Sequence, residues 1–124
     1  MNGNAVMNVF ISLINDLMNT EVENAFVFTN ENKVVNFNPA DVNDCLAEIL
    51  QRPGILSQIE TKNRVNIEKA VKEMLKVFKQ LGLIIGGEKR ITNVQWIAGK
   101  SRRVISVDYE RFQLVKKMNW GNSK

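Results

Sequence analysis

Between Asn66 and Gly82 the chain holds a pattern that admits one kind of local structure. Ile67, Ala70, Val71, Met74, Phe78 and Leu81 recur at the spacing of one helix face, and Leu75 and Val77 widen it. Asn66 is a favoured N-cap, and Gly82 stands where a left-handed residue closes a helix. The pattern therefore predicts a helix over about 66–81. Its other face bears Lys69, Lys72, Lys76 and Lys79, at steps of three, four and three residues. Ammonium groups so placed repel one another by roughly a few tenths of a kcal/mol per pair, and Glu73 alone is close enough in sequence to offset this well. Such a helix needs a core on one side. On the other it faces water, which lysine tolerates as a good helix former, or an anion.

Elements of several kinds surround this helix. Residues 4–19 place Val6, Phe10, Leu13, Leu17 and Met7, Ile11, Ile14, Met18 on two adjoining stripes, a broad apolar face without Lys or Arg, suited to scaffold or to self-association. The β-rich runs 25–29 and 34–37 flank Asn30-Glu31-Asn32-Lys33 and read as a hairpin. Asn38-Pro39 opens a helix over about 39–51 with Val42, Leu46, Ile49 and Leu50 inward, stopped by Arg52-Pro53-Gly54. A short helix before a polar turn is expected within 55–65. After Gly82, Leu83-Ile84-Ile85 forms a strand, Gly86 and Gly87 break it, and the runs 91–97 and 102–109 form a hairpin around the four-residue turn Ala98-Gly99-Lys100-Ser101. Asp108 caps a last helix with Phe112, Val115 and Met118, ending in a frayed tail from Gly121.

A chain of 124 residues suits one domain. Having no His and one Cys excludes His-based triads, His-bound metals and an all-cysteine zinc site, and the lone Cys45 favours a reducing compartment. No apolar run approaches the roughly 18 residues of a membrane span. The first residues lack the basic start of a secretory signal. An intracellular, cytoplasmic protein is expected, with no membrane contact and no cofactor.

The net charge of +4 conceals a division. Residues 1–51 hold one base against seven acids, and residues 52–124 hold sixteen bases against six acids, leaving −6 and +10. That asymmetry points the C-terminal part toward a polyanion. Besides the lysine stripe, Lys100, Arg102 and Arg103 gather at the second hairpin's tip, with Lys89 and Arg90 before it. Arginine presents a planar fork to phosphate or guanine, and a basic tip beside a duplex can enter a minor groove. Protection of an exposed strand edge is the plainer role, and it suits Lys89 and Arg90 best.

A helix, a Gly stop, a short strand and a basic hairpin form one continuous unit, and here the sequence resembles the winged helix-turn-helix family. The stretch from Val65 to Ile84 is similar to that family's recognition helix with its Leu81-Gly82-Leu83-Ile84 step into the wing, and 41–50 is similar to the preceding helix. The opening helix and hairpin also resemble the N-terminal domains of phage and plasmid replication proteins. The resemblance spans about 38–109 and departs from the family at residues 52–65, about fourteen residues where three or four join the two helices of such a motif. Either an extra short helix or loop is inserted there, or 55–60 is itself the second helix. The implied fold is α+β: a winged helix-turn-helix domain with an extra N-terminal helix and hairpin (1–37), the motif and wing (38–109), and a C-terminal helix and tail (110–124). The resemblance implies that Lys62, Asn63, Arg64, Asn66 and Lys69 approach a major groove, and that Asn63, Arg64 and Asn66 read bases. It further implies that Lys72, Lys76 and Lys79 track phosphates and that Lys100, Arg102 and Arg103 sit in the wing.

The remaining candidates favour structural roles. Asp41, Asp44 and Glu48 share a helix face and could hold Mg²⁺ as in a nuclease, but read better as a solvated acidic face. Tyr109, a possible nucleophile in strand nicking, reads as a packed tyrosine, and Cys45 as a packed thiol. Trp96 and Trp120 could stack on single-stranded bases, although Trp96 is expected to cover the core under the hairpin. Gly86-Gly87-Glu88-Lys89 lacks the spacing of a phosphate loop. The expected function is non-catalytic binding of double-stranded DNA, in transcriptional control or replication initiation, by a homodimer joined through the first helix. The alternative is a phage or bacterial adaptor that uses the same fold to bind protein.

Overall fold

The structure, a computed structural model, describes residues 3–21, 25–59, 61 and 65–122, the last four as backbone only. Helix α1 (Gly3–Met18) precedes the strands β1 (Phe26–Thr29) and β2 (Val34–Phe37). Three helices follow, α2 (Pro39–Leu50), α3 (Ile55–Ile59) and α4 (Ile67–Gln80). The chain ends with β3 (Ile84–Ile85), β4 (Asn93–Ile97), β5 (Lys100–Asp108) and α5 (Tyr109–Asn122). The fold is α+β with an antiparallel sheet, and among the described residues no helix is long and apolar enough to cross a membrane.

Local chemistry sets the helix limits. The Asn38 side chain accepts from the Ala40 amide at 2.9 Å with Pro39 in the first turn, and Asp108 accepts from the Arg111 amide at 3.0 Å to start α5. At the end of α4, Gly82 is left-handed (φ 74°), Leu83 N–H bonds back to Phe78 C=O, and Gly82 N–H bonds to Lys79 C=O. These two bonds satisfy carbonyls the helix leaves open and turn the chain directly into β3. Among the described residues of 52–65 there is one helix, the five-residue α3. Helix α5 runs on to Asn122 instead of fraying at Gly121.

The strand order is β1-β2-β5-β3, with β4 also on β5. One edge of β5 takes β2, from Val34 opposite Asp108 to Phe37 opposite Ile105. Its other edge takes β3, with Ile84 opposite Val107, and then β4, with Asn93 opposite Val104. Strands β3 and β4 thus run as one line interrupted by an excursion at 86–92. The β4–β5 turn is shorter than the sequence suggests. Ile97 pairs with Lys100, leaving only Ala98 and Gly99 (φ 53° and 78°) as a type I′ connection. Lys100 and Ser101 therefore belong to the strand.

Register assigns each side chain to a face. Val35, Phe37, Ile84, Ile105 and Val107 enter the core that the helices cover. Helix α1 lies at its centre, with Phe10 edge-on to Phe78 (5.2 Å) and Phe112 (6.0 Å). Seven of its residues, from Ala5 to Leu17, are buried within the chain. The broad stripe expected to join two copies is thus already covered by the protein's own α2, α4 and α5. Tyr109 packs on Phe28 and Phe112 as a structural ring.

On the sheet's other face, Asn36 (2% exposed) and Ser106 (0%) are buried polar residues and bond to each other. Asn36 Nδ2 donates to Val27 O and Thr29 Oγ1, Ser106 Oγ donates to Asn36 Oδ1 at 2.6 Å, and Asn93 Nδ2 donates to Ser106 Oγ at 2.8 Å. This ladder links β1, β2, β5 and β4, and a one-residue slip of any strand would break it. Asn36→Ala is expected to leave the buried Ser106 hydroxyl hydrogen without its acceptor and to cost about 2 kcal/mol, read from urea unfolding followed by circular dichroism.

Candidate nucleic-acid interface

Helix α4 turns Ala70, Val71, Met74, Leu75 and Phe78 into the core and leaves Lys69, Lys72 and Lys76 exposed. Among the described residues no carboxylate lies within ion-pair distance of these three ammonium groups. The Glu73 carboxylate, expected to offset them, receives a hydrogen bond from the Thr61 hydroxyl. The stripe is not uniform in its surroundings. Lys72 borders a groove of about 540 Å³ shared with Asp44, Ala47 and Glu68, so acids stand near the helix's first half.

The fourth lysine has a different task. Lys79 is half-buried, and its Nζ donates to Gly87 O at 2.6 Å and to Glu88 O at 3.4 Å. It ties the 86–92 excursion to the C-terminal half of α4. Gly87 N–H bonds to Thr92 O, and Asn93 Nδ2 donates to Ile85 O at 2.9 Å, which closes the loop at its neck. Gly86 is required there, because a Cβ would collide with the Arg90 carbonyl oxygen. Exposed Lys89 and Arg90 are thereby held on a loop fastened to the lysine helix. The sequence suggested edge protection for this pair. The signal that could have linked them to α4 is Lys79 itself, spaced to reach past the Gly82 stop.

The hairpin bases are exposed and divide between two faces. Arg102 pairs with Gln95 and Lys100 with Ile97, on the face of the polar ladder, whereas Arg103 pairs with Val94 on the helix-covered side. Arg103 Nη1 donates to Thr92 Oγ1 at 3.1 Å, joining the hairpin to the end of the loop. Because β2 ends its pairing at Ile105, the edge of β5 over 100–104 is open on that side. Arg102 and Arg103 line a cleft of about 440 Å³ there with Phe26, Phe37 and Asp41. Trp96 does not cover the core as expected but is 72% exposed, because register places it on the hairpin beyond the helices' reach.

Asn66, expected to read bases, uses its side-chain oxygen as the cap of α4, accepting from Lys69 N–H at 3.1 Å. Lys62, Asn63 and Arg64 lie outside the described residues, as does the Trp120 side chain.

The acids of the N-terminal part gather elsewhere. Arg52 bridges Asp16 at 3.0 Å and Glu48 at 2.8 Å, and Cys45 lies beside them, lining a cleft with Asp16, Asp44 and Glu48. Among the described residues no group of three carboxylate, thiol or imidazole side chains is placed to hold a metal ion. Burial, then the charges of Asp16 and Glu48, push the Cys45 thiol up to about 11, with Arg52 opposing. Comparison with models of known protein families finds no match, and comparison with curated proteins finds no significant relative.

Two outcomes follow from this geometry. Lys79→Met is expected to speed tryptic cleavage after Lys89 and Arg90 and to lower stability by about 1–2 kcal/mol, with helix content unchanged by circular dichroism. Alkylation of Cys45 in the folded protein is expected to stay slow at pH 8 and to accelerate as pH rises toward about 11. The unfolded thiol ionises lower, near 9.0, so stability falls as pH climbs between those values.

Proposed function

We propose that the protein binds double-stranded DNA without catalysis, as a domain of winged-helix type, in transcriptional control or replication initiation. The observation that supports this best is the joining of three basic elements by hydrogen bonds. Lys79 holds the loop of Lys89 and Arg90 against α4, and Arg103 holds the hairpin against the same loop through Thr92. The result is a run of cations from Lys76 through the loop to the hairpin, without ion pairs to carboxylates among the described residues. Self-repulsion in such a surface falls when phosphates face it. Of the acids on α1 and α2, Asp16 and Glu48 are held by Arg52, whereas Asp44 borders the groove of Lys72 and Asp41 the cleft of Arg102 and Arg103.

The chain order also supports the winged-helix reading. An opening helix, a strand returning to β5, helices α2 and α4, and a terminal hairpin follow the arrangement that the resemblance implies, with α3 as the inserted helix. Helix α1 and the β1–β2 hairpin are the extra N-terminal elements of that reading, and helix α5 follows the wing. In this reading Lys69, Lys72 and Lys76 meet the backbone directly, whereas Lys79 acts by positioning its loop.

Retardation of a random-sequence duplex, followed across a salt series, tests the proposal. With five or six phosphates neutralised, log affinity is expected to fall against log salt with a slope of roughly −5. Lys72→Glu with Lys76→Glu should abolish retardation at low salt while the circular dichroism spectrum stays native. A folded wild-type protein that retards no duplex at any salt would remove DNA binding and leave the adaptor.

A further inference from the structure

Trp96 is a large apolar side chain that the fold does not use. It is 72% exposed, Val94 beside it is 54% exposed, and Trp96 meets no aromatic ring or cation among the described residues. Opposite it stands small Ser101, and opposite Val94 stands Arg103. By register these four share the sheet face of Ile105 and Val107, the side on which the helices lie. Residues 93–107 include Lys100, Arg102 and Arg103 and no acid. An uncovered indole thus stands on the hairpin, on the same side of the sheet as α4 and Arg103, with Lys100 and Arg102 on the opposite face of the same strand.

The chemistry that fits both properties is a flat ring joined to phosphates. A nucleotide supplies this pairing, since base–aromatic stacking and backbone neutralisation act together on single strands. In a blunt duplex the base faces are occupied by their neighbours and only their edges reach the grooves, so the indole gains stacking only where a base is unpaired. Resting on the DNA-binding reading above, we infer that Trp96 is the stacking platform for one unpaired nucleobase next to the duplex held by α4. Arg103, on the face of the indole, neutralises the adjoining phosphate. The protein therefore favours a duplex bordered by single strand over a blunt one.

The chain has two tryptophans, so a Trp120→Phe background isolates the emission of Trp96. This protein is titrated at low salt with a blunt duplex and with the same duplex bearing a short unpaired thymine tail. The tailed duplex is expected to quench the emission and to bind about tenfold more tightly. Trp96→Ala should erase that preference and leave blunt-duplex affinity within about twofold, and Trp96→Phe should keep most of the preference. Unchanged melting temperatures confirm that the exposed side chain was removed without loss of fold. Equal wild-type affinity for the two duplexes, or equal weakening of both by Trp96→Ala, would overturn the inference while duplex binding stands. Failure of the wild type to bind either duplex would overturn both.

Discussion

Strand β5 is paired on both edges at Ser106 and Val107 and on one edge over the rest of its length. Its partners come from opposite ends of the chain, with β2 on one side and β3 and β4 on the other. This pairing gathers the first hairpin, the basic loop and the second hairpin on one frame, and it places Ile105 and Val107 under the helices. The polar ladder of Asn36, Ser106 and Asn93 crosses the same strands and ties their register to specific donors and acceptors. A core of aliphatic residues alone would tolerate a two-residue slip more easily, because alternate positions on each strand are chemically alike.

Two local devices decide where the charges of the sequence stand in space. Arg52 collects Asp16 and Glu48 from separate helices, which draws acids of the first half around a base of the second. Lys79 spends its charge on the carbonyl oxygens of Gly87 and Glu88 and brings two further bases to the end of α4. Net charge therefore says less about the interface than which cations are tethered and which extend into water. Surface ion pairs of the Arg52 kind contribute little stability, and their consequence here is the placement of charge.

Much of the fold was legible from the sequence. The periodicity of α1, α2 and α4 and the caps of α2 and α4 match the observed helices closely, because side-chain burial at helical spacing and Asn or Gly capping act within a few residues. The β4–β5 turn was less legible. Ala98 adopts a left-handed conformation that its side chain disfavours, and the pairing of Ile97 with Lys100 enforces it. At the candidate interface the lysine stripe was legible and the separate role of Lys79 was not, since its partners are backbone carbonyls, which every residue carries alike. Asn66 stood equally for a cap and for a base reader, and the geometry uses it as a cap. Trp96 was expected inside because large aromatic residues bury well, but hairpin length carries it past the helices.

By itself the sequence determined the local chemistry: where helices begin and end, which helix face is apolar, and that the bases crowd into the second half. Those properties depend on neighbours within one or two turns of chain. Only the tertiary structure decided that the apolar stripe of α1 is covered by its own chain, that the loop of Lys89 and Arg90 is bound to α4, and that Trp96 stands clear of the core. Each depends on strand pairing and packing between distant segments, whose register no short window of sequence contains.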